Sequence, residues 1–517
     1  MTNDQRLLHD IASRLNHDAK RFIEAPVFRW PKAELPRELN LWRLVLEQDG
    51  VRHVIENDEP VLDTVSVWPK LRAGHWVQVR LLGYDRETGW CGLDSPVCHT
   101  VRGTKVSMFS KAPDWEDHEE QPLDFAASLR RNCAWFDSQE DNPGAYYREP
   151  GMPAWWWHAA ESAYPAKGWK YQSSTYPNGA YIPALLAEAR LFPERAERDR
   201  KTAVAIGDWL LRNRTPMTGA APGLPYSSVS EGKFEHGVEG KAINLSFAPM
   251  TGQGMLALFK ATGEKKYLDY AIHLANVLEK FVAADGSFPY RVKPDTGEVV
   301  EQYTTGHARL ALFLEDLNAI APDPRWPAAA MRILDWLVAH PMVDFNWKAC
   351  YEDVTPERPF INLTQMDAQL AVRLFCRHVK ERPELLPKAR KLFRWIEDQF
   401  VNFGDEPSLS VRTYYPAVRE QYVCDYPMEV HSANYAASCR ALFQVTGEEV
   451  FRRKQVATLN AIVKSQRPDG AYSTWGMSRE GLSGMGGNWF RCNHGAAAGL
   501  ADFLLRARGE GDAGEWF

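Results

Sequence analysis

The sequence predicts a small N-terminal β-sandwich followed by a ring of six helical hairpins. Its 517 residues exceed what one compact core usually holds. Apolar residues alternate with polar ones up to about residue 112, whereas from about residue 121 they recur every three to four residues. We therefore divide the chain into a short helix at residues 1–24, a β-sandwich at 25–112 and an all-α domain at 113–517.

The composition argues against several classes of partner. The apolar fraction of 45%, the charged fraction of 25% and the net charge of −6 are ordinary for a globular protein, and they give no reason to expect nucleic acid. No apolar leader and no run of about 18 apolar residues occurs, so we expect no membrane span. The eight cysteines form no Cys-x-x-Cys pair, which predicts reduced thiols and a cytoplasmic protein, or a secreted one if a leader has been removed.

Short strands with turns between them characterise the N-terminal domain. Leu41–Glu47 alternates and ends at the turn sequence Gln48-Asp49-Gly50. Further strands are predicted at Val61–Val67, His75–Leu82 and Val101–Phe109. Together with Phe28-Arg29-Trp30-Pro31 and Leu71–Arg80, this pattern resembles a fibronectin type III-like module that precedes the helical domain in some heparinase II/III-like proteins. The resemblance implies a positioning role.

The all-α domain contains a repeat of two helix sets. The inner set begins near residues 177, 244, 302, 362, 429 and 488, at a spacing of roughly 60 residues. The outer set alternates with it at about 122–137, 199–212, 266–282, 324–340, 386–401 and 449–465. Small residues such as Thr251-Gly252-Gln253-Gly254 allow close packing, which predicts that the first set lies inside. The last inner helix should then close the ring against the first outer helix.

Turns with a glycine and an aromatic residue follow several outer helices, as in Asp285-Gly286-Ser287-Phe288 and Asp469-Gly470-Ala471-Tyr472. The glycine releases the helix end and the aromatic residue returns the chain to the body of the domain. The whole pattern resembles the (α/α)6 toroid of six-hairpin glycosidases and polysaccharide lyases. This resemblance covers about 390 residues and implies an enzyme that cleaves glycosidic bonds.

The helix starts of the inner set are rich in polar residues. If these helices run parallel, their starts gather at one end of the ring and form the default site. No metal, phosphate or nucleophile motif occurs, so no cofactor is predicted. Substrate contacts are expected from Trp156, Trp157, Tyr176, Asn178, Tyr303, His307, Asp367, Arg412 and Trp475. The tryptophans among them could stack on sugar rings.

Two mechanisms of bond cleavage compete at this end. Hydrolysis needs two carboxylates, roughly 5 to 10 Å apart. Candidates are Glu161, Glu239, Glu301, Asp367, Asp425 and Glu429, and no motif assigns a role to any of them. β-Elimination on a uronic acid instead needs donors that neutralise the carboxylate and a Tyr or His that moves a proton. The abundance of Asn, His and Tyr at the helix starts favours elimination.

The sequence Cys492-Asn493-His494-Gly495 resembles the Asn-Asn-His-Gly motif of alginate and heparinoid lyases. The resemblance implies that Asn493 and His494 contact the uronate carboxylate of an acidic oligo- or polysaccharide. His431 or Tyr426 would then transfer the proton. The sequence departs from the family in three ways: Cys492 replaces the first Asn, the motif lies on the last helix, and no β-sheet domain follows the toroid. A glycoside hydrolase, a uronate epimerase and a non-catalytic sugar-binding or polysaccharide-assembly protein remain alternatives.

Overall fold

The structure is a computed structural model, and the description below covers part of the chain. The described residues are 27–29, 39–59, 61–71, 76–87, 89–92, 104–107, 115, 117–140, 173–225, 228–230, 233–235, 242–302, 304, 306–344, 347–349, 362–404, 412–420, 427–472, 477, 479 and 490–510. The chain forms two compact units, one of residues 1–118 with 391–408 and one of residues 119–390 with 409–517. The predicted helix at residues 1–24 lies outside the described residues.

Antiparallel strands form the first unit. They are β1 Val27–Arg29, β2 Leu41–Gln48, β3 Val51–Asn57, β4 Val61–Asp63, β5 Trp76–Asp85, β6 Gly89–Gly92 and β7 Thr104–Ser107. A five-stranded sheet has the order β3-β2-β5-β6 with β7 also paired to β5, and β1 pairs with β4. This sheet confirms a small β domain, while a complete two-layer sandwich stays a prediction.

The β2–β3 hairpin forms as its sequence predicts. Asp49 and Gly50, with φ of 52° and 79°, make the turn, which requires two residues of positive φ. The prediction of a strand over Val61–Val67 is wrong beyond Asp63. The Asp63 carboxylate accepts the Val65 N–H at 2.8 Å, and this local bond turns the chain away from the strand direction.

Twelve helices of at least 12 residues are found in the described part of the chain. They are α1 Phe125–Glu140, α2 Thr175–Leu191, α3 Ala196–Arg212, α4 Ala248–Thr262, α5 Lys265–Glu279, α6 His307–Asn318, α7 Arg325–Ala339, α8 Met366–His378, α9 Leu385–Phe400, α10 Glu429–Thr446, α11 Glu449–Lys464 and α12 Phe490–Ala507. Short strands lie between them: β8 Ser173–Ser174, β9 Ser228–Ser230, β10 Lys233–Glu235, β11 Ile243–Asn244, β12 Arg291–Val292, β13 Val299–Glu301, β14 Lys348–Ala349, β15 Asn362–Leu363, β16 Val401–Asn402 and β17 Ala417–Val418. A single helical turn, Pro341–Asp344, follows α7.

The even-numbered helices form a closed inner ring. Contacts join α2 to α4, α4 to α6, α6 to α8, α8 to α10, α10 to α12 and α12 back to α2. The outer helices α3, α5, α7 and α11 each pack on the inner helix that precedes them, and α1 packs on α12. The twelve helices therefore have the arrangement of an (α/α)6 toroid, and α12 closes the inner ring as the sequence predicts.

Neighbouring inner helices contact each other near their starts: the Gly306 N–H just before α6 donates to Asp367 in the first turn of α8 at 3.0 Å, and Gln369 in that turn donates to the His431 carbonyl in the first turn of α10 at 3.4 Å. Ser438 in α10 donates to the Gln369 carbonyl in α8 at 3.2 Å. At the other inner-helix seams small residues permit the approach. A Cβ on Gly179 of α2 would lie 2.7 Å from the Thr251 Cα of α4, and one on Gly495 would lie 2.6 Å from Val430 Cγ2. The helix starts of the inner ring thus gather at one end, which we call the mouth.

The turns after α5 and α11 have the same geometry. Gly286 and Gly470 have φ of +89° and +98°, which only glycine adopts readily. A Cβ on either glycine would overlap the carbonyl of Arg332 or Arg131, which belong to the outer helices α7 and α1 of the following hairpins. These turns link successive hairpins, which explains why the glycine recurs.

None of the helices described is long and apolar enough to cross a membrane. The four cysteines described with their side chains, Cys133, Cys376, Cys439 and Cys492, are buried thiols outside any disulfide.

Candidate functional site

Two histidines lie at the starts of neighbouring inner helices. His431 is in the first turn of α10 and His494 is in the second turn of α12. Val430 and Gly495, which adjoin them in sequence, touch across the seam between the two helices. Both histidines are at most 3% exposed. The imidazoles of His431 and His494 therefore both lie near the mouth.

His431 has the surroundings of an acid–base group. Its Nε2 lies 3.6 Å from Glu420 Oε1, which is too long for a hydrogen bond and within ion-pair distance. Its Nδ1 is buried and has no hydrogen-bond partner. A carboxylate at ion-pair distance attracts a proton to Nε2 and so favours the tautomer protonated there, which leaves Nδ1 for a substrate proton.

The Glu420 backbone is fixed against the start of α10. Val418 in β17 donates its N–H to Ser432 Oγ at 3.0 Å, and the Met428 N–H donates to the Val418 carbonyl at 2.9 Å. Arg419 forms an isolated antiparallel bridge with Pro427. The chain segment that carries Glu420 thus runs beside the first turn of α10. Glu420 was missed in the sequence because it lies outside any helix and in no motif.

His494 is a neutral imidazole. Burial, and next the positive charge of Arg491, hold its pKa well below the ordinary value of 6.5. The Arg491 Nη1 is 3.5 Å from His494 Nδ1, and the Tyr181 ring of α2 lies 5.4 Å from the imidazole, centroid to centroid. A neutral imidazole can accept a proton, and a guanidinium beside it can pair with an anionic group.

Asn493 joins the mouth to a neighbouring turn. Its Oδ1 accepts the Tyr472 N–H at 2.8 Å and the Asn132 amide at 3.3 Å. Asn132 also donates to the Gly470 carbonyl at 3.1 Å. The Asn493 oxygen therefore links α12 to the turn after α11 and to α1, and its contact with a uronate carboxylate stays a prediction.

His307 occupies the corresponding place in the third hairpin. Its Nε2 accepts the Phe288 N–H at 2.9 Å and its Nδ1–H donates to the Thr304 carbonyl at 3.0 Å. The ring also stacks on Trp336 at a centroid distance of 4.1 Å. Backbone groups thus engage both nitrogens of His307, and its contact with a substrate stays a prediction.

The carboxylates around the mouth point in different directions. Asp367 accepts the Gly306 N–H at the start of α6 at 3.0 Å, and Glu301 is ion-paired with Arg291. Glu429 accepts from Ser465 Oγ at 3.4 Å, and its burial raises its pKa to about 8. Glu429 and His431 are two residues apart, so they lie about 200° apart around α10. Glu429 therefore leaves α10 on a different side from His431, the residue that Glu420 approaches.

The remaining predicted contacts are only partly visible. Asn178 is buried in the first turns of α2, and Arg412 is exposed. The backbone of Tyr176 is in α2, while its side chain is outside the described part. Two groups of predicted residues lie wholly outside it: the aromatic residues Trp156, Trp157, Tyr303, Tyr426 and Trp475, and the acids Glu161, Glu239 and Asp425.

No protein-family model and no curated protein matches this chain. Solved structures do match its fold. A D-mannose isomerase is 12% identical with a TM-score of 0.54, over 74% of this chain and 97% of that one. A family 76 glycoside hydrolase from a bovine Bacteroides thetaiotaomicron strain is 12% identical with a TM-score of 0.51, over 90% and 93%. A cellobiose 2-epimerase from Bacillus thermoamylovorans is 11% identical with a TM-score of 0.53, over 74% and 99%. At this level of identity the likeness establishes the fold alone.

Proposed function

We propose that this protein is a carbohydrate-active enzyme that transfers a proton on a sugar carbon, as a sugar isomerase or epimerase. The observation that carries the proposal is His431, with Glu420 on one ring nitrogen and no hydrogen-bond partner on the other. The fold shared with a D-mannose isomerase and a cellobiose 2-epimerase supports it. The sequence favours cleavage of a glycosidic bond and gives an epimerase as an alternative, and the proposal adopts that alternative.

The reaction acts on the open-chain form of a sugar. The His431 imidazole removes the proton from the carbon next to the carbonyl, and the electron pair of that C–H bond forms an enediolate. Return of a proton to C1, with transfer of the O2 proton to O1, completes an isomerisation. Return of a proton to the opposite face of C2 completes an epimerisation, and this needs a second group that carries a proton. We assign that role to His494 on the adjoining helix start, which is neutral and must first take up a proton, for example from the sugar hydroxyl that is deprotonated during ring opening.

β-Elimination on a uronic acid is the second candidate function. It uses the same removal of a proton from carbon, next to a carboxylate instead of a carbonyl. The Arg491 guanidinium beside His494 favours it, because this cation can neutralise a substrate carboxylate. Hydrolysis has less support, since Glu420 and Glu429 lie on different sides of α10.

Incubation with sugars in heavy water tests the proposal. We expect the wild-type protein to exchange the C2 proton of a free aldose or a reducing disaccharide for deuterium, as detected by NMR. His431→Gln should abolish the exchange. His378→Gln is the matched control, because His378 also pairs with a glutamate, Glu315 at 2.6 Å, but lies in the last turn of α8 away from the mouth.

Other products would identify other reactions. Ultraviolet absorbance from unsaturated uronates, without exchange on neutral sugars, would establish elimination. New reducing ends without either signal would establish hydrolysis. Exchange that survives His431→Gln at the wild-type rate would refute the assignment of His431.

A further inference from the structure

We propose that Gln365 and Gln369 are positioning residues that set the geometry of the His431–Glu420 pair. This inference rests on the proposed function, because it assigns that pair to proton transfer. Gln365 immediately precedes α8 and Gln369 lies in its first turn, and both are fully buried. Being four residues apart, they lie one above the other on the same side of the helix.

Each glutamine contacts one member of the pair. Gln365 Nε2 donates to the Glu420 carbonyl at 3.4 Å. Gln369 Nε2 donates to the His431 carbonyl at 3.4 Å, and also to Gln365 Oε1. The two amides thus form a continuous link from the segment that carries Glu420 to the first turn of α10.

If Gln369 only filled space, its polar amide would destabilise the fold relative to an apolar side chain of similar volume. Its Oε1 is buried and has no hydrogen-bond partner. A buried polar atom without a partner costs about 1–3 kcal/mol, and methionine would fill a similar volume without that cost. A purely structural seam between α8 and α10 gains nothing from this amide. The two bonds that it donates give the amide a use, because they connect the His431 carbonyl to the Gln365 side chain, which in turn donates to the Glu420 carbonyl.

The geometry that these bonds control is sensitive. His431 Nε2 and Glu420 Oε1 are already 3.6 Å apart, at the edge of useful contact. A displacement of about 1 Å in a catalytic group can lower turnover by about a hundredfold. Val418 and Arg419 stay bonded to the start of α10, so loss of either carbonyl contact shifts Glu420 itself relative to His431 and weakens the preference of the carboxylate for one imidazole tautomer.

The experiment compares Gln365→Met and Gln369→Met with Ser438→Ala. Ser438 donates to the Gln369 carbonyl at 3.2 Å, so the control removes a hydrogen bond from the same helix seam without touching either contact to the pair. Gln365→Asn and Gln369→Asn form a second set, which keeps the amide but shortens its reach. They decide the question if the methionine variants fail to fold.

Two readouts are needed. The ¹⁵N chemical shifts of the His431 ring, assigned by comparison with His431→Gln, report how much of the imidazole carries its proton on Nε2. We expect that population to fall in the glutamine variants and to stay constant in Ser438→Ala. In parallel, kcat should fall at least about tenfold while KM changes little, because substrate binding is not altered.

The inference is overturned if the His431 signals and kcat of the folded glutamine variants match those of Ser438→Ala. The ¹⁵N measurement does not depend on turnover. If the wild-type protein acts on no sugar, the proposed function fails, and the ring signals still decide whether the glutamines position the pair.

Discussion

Replacement of Glu188 by glutamine should raise the unfolding free energy above that of the wild-type chain at alkaline pH. At acid pH the two proteins should be similarly stable. Glu188 lies on α2 with 1% exposure. The groups that face it are Cys133 and Asp137 of α1, Arg195, and Asp199 of α3. Burial, and next the Asp199 carboxylate, raise the pKa of Glu188 from 4.5 to about 8.

The sign and size of the effect follow from this pKa. The folded state holds the proton more tightly than the unfolded chain does, so the unfolding free energy falls as pH rises from about 4.5 to about 8. A change in pKa from 4.5 to about 8 corresponds to about 5 kcal/mol, at 1.36 kcal/mol per pKa unit. Glu188→Gln removes this loss because its amide does not titrate.

The assay is urea unfolding followed by helical circular dichroism at several values of pH. Near the ordinary pKa of a glutamate the two proteins should be similarly stable, since glutamine resembles a protonated glutamate. Above the raised pKa the variant should be more stable by several kcal/mol. Glu197→Gln is the control, because Glu197 is an exposed acid in the first turn of α3.

Glu429, whose pKa is also raised to about 8, contributes the same slope to both proteins and cancels in the difference. The reasoning is refuted if the stability gained in Glu188→Gln is the same at acid and at alkaline pH. A gain of that kind would mean that the carboxyl group is not forced to hold its proton in the folded state.

Four further predictions concern the ring. Asp502→Ala should lower the unfolding free energy by about 3–5 kcal/mol in a urea titration, because it leaves the Arg440 guanidinium, 3.0 Å from Asp502, buried without its carboxylate. A loss below about 1 kcal/mol would mean that this pair is exposed to solvent. Gly447→Ala should cost about 1 kcal/mol, as its φ of +68° is strained for alanine in open space. Gly286→Ala should lower stability by at least about 2 kcal/mol more than Gly447→Ala, because the added Cβ also overlaps the Arg332 carbonyl. Equal melting temperatures of the two variants would contradict this packing. Asn493→Ala should lower stability by about 1–3 kcal/mol by leaving a backbone N–H without its acceptor, and loss of turnover with an unchanged melting temperature would instead support the carboxylate contact expected from the sequence.

The helical part of the fold could be predicted because its evidence is local and repeated. The apolar period of 3.6 locates each helix to within a few residues, and small residues such as Gly254 identify the helices that must approach closely. The strand at Val61–Val67 was predicted too long because a side-chain bond from Asp63 outweighs the apolar alternation. Such bonds depend on the exact backbone path, which the pattern does not specify.

The candidate site was less predictable because its contacts join distant segments. Asn493 receives its hydrogen bond from Tyr472, which is 21 residues earlier in the chain. Glu420 reaches His431 only because β17 runs beside the start of α10, and nothing in the local sequence indicates that placement. The two histidines themselves were found because they mark the starts of helices, which the sequence does reveal.

Closure of the ring by α12 has a consequence for synthesis. About 300 residues separate the end of α2 from the start of α12, and ribosomes add roughly 5–20 residues per second, so the partner of α2 emerges roughly 15–60 s after α2 itself. During that interval the apolar side of α2 that faces α12, with Ala187 and Leu191, lacks its partners on α12 and is covered in part by Leu129 and Cys133 of α1. The nascent toroid is an open arc for most of its synthesis, and protection from aggregation must come from a chaperone or from transient packing of the arc on itself.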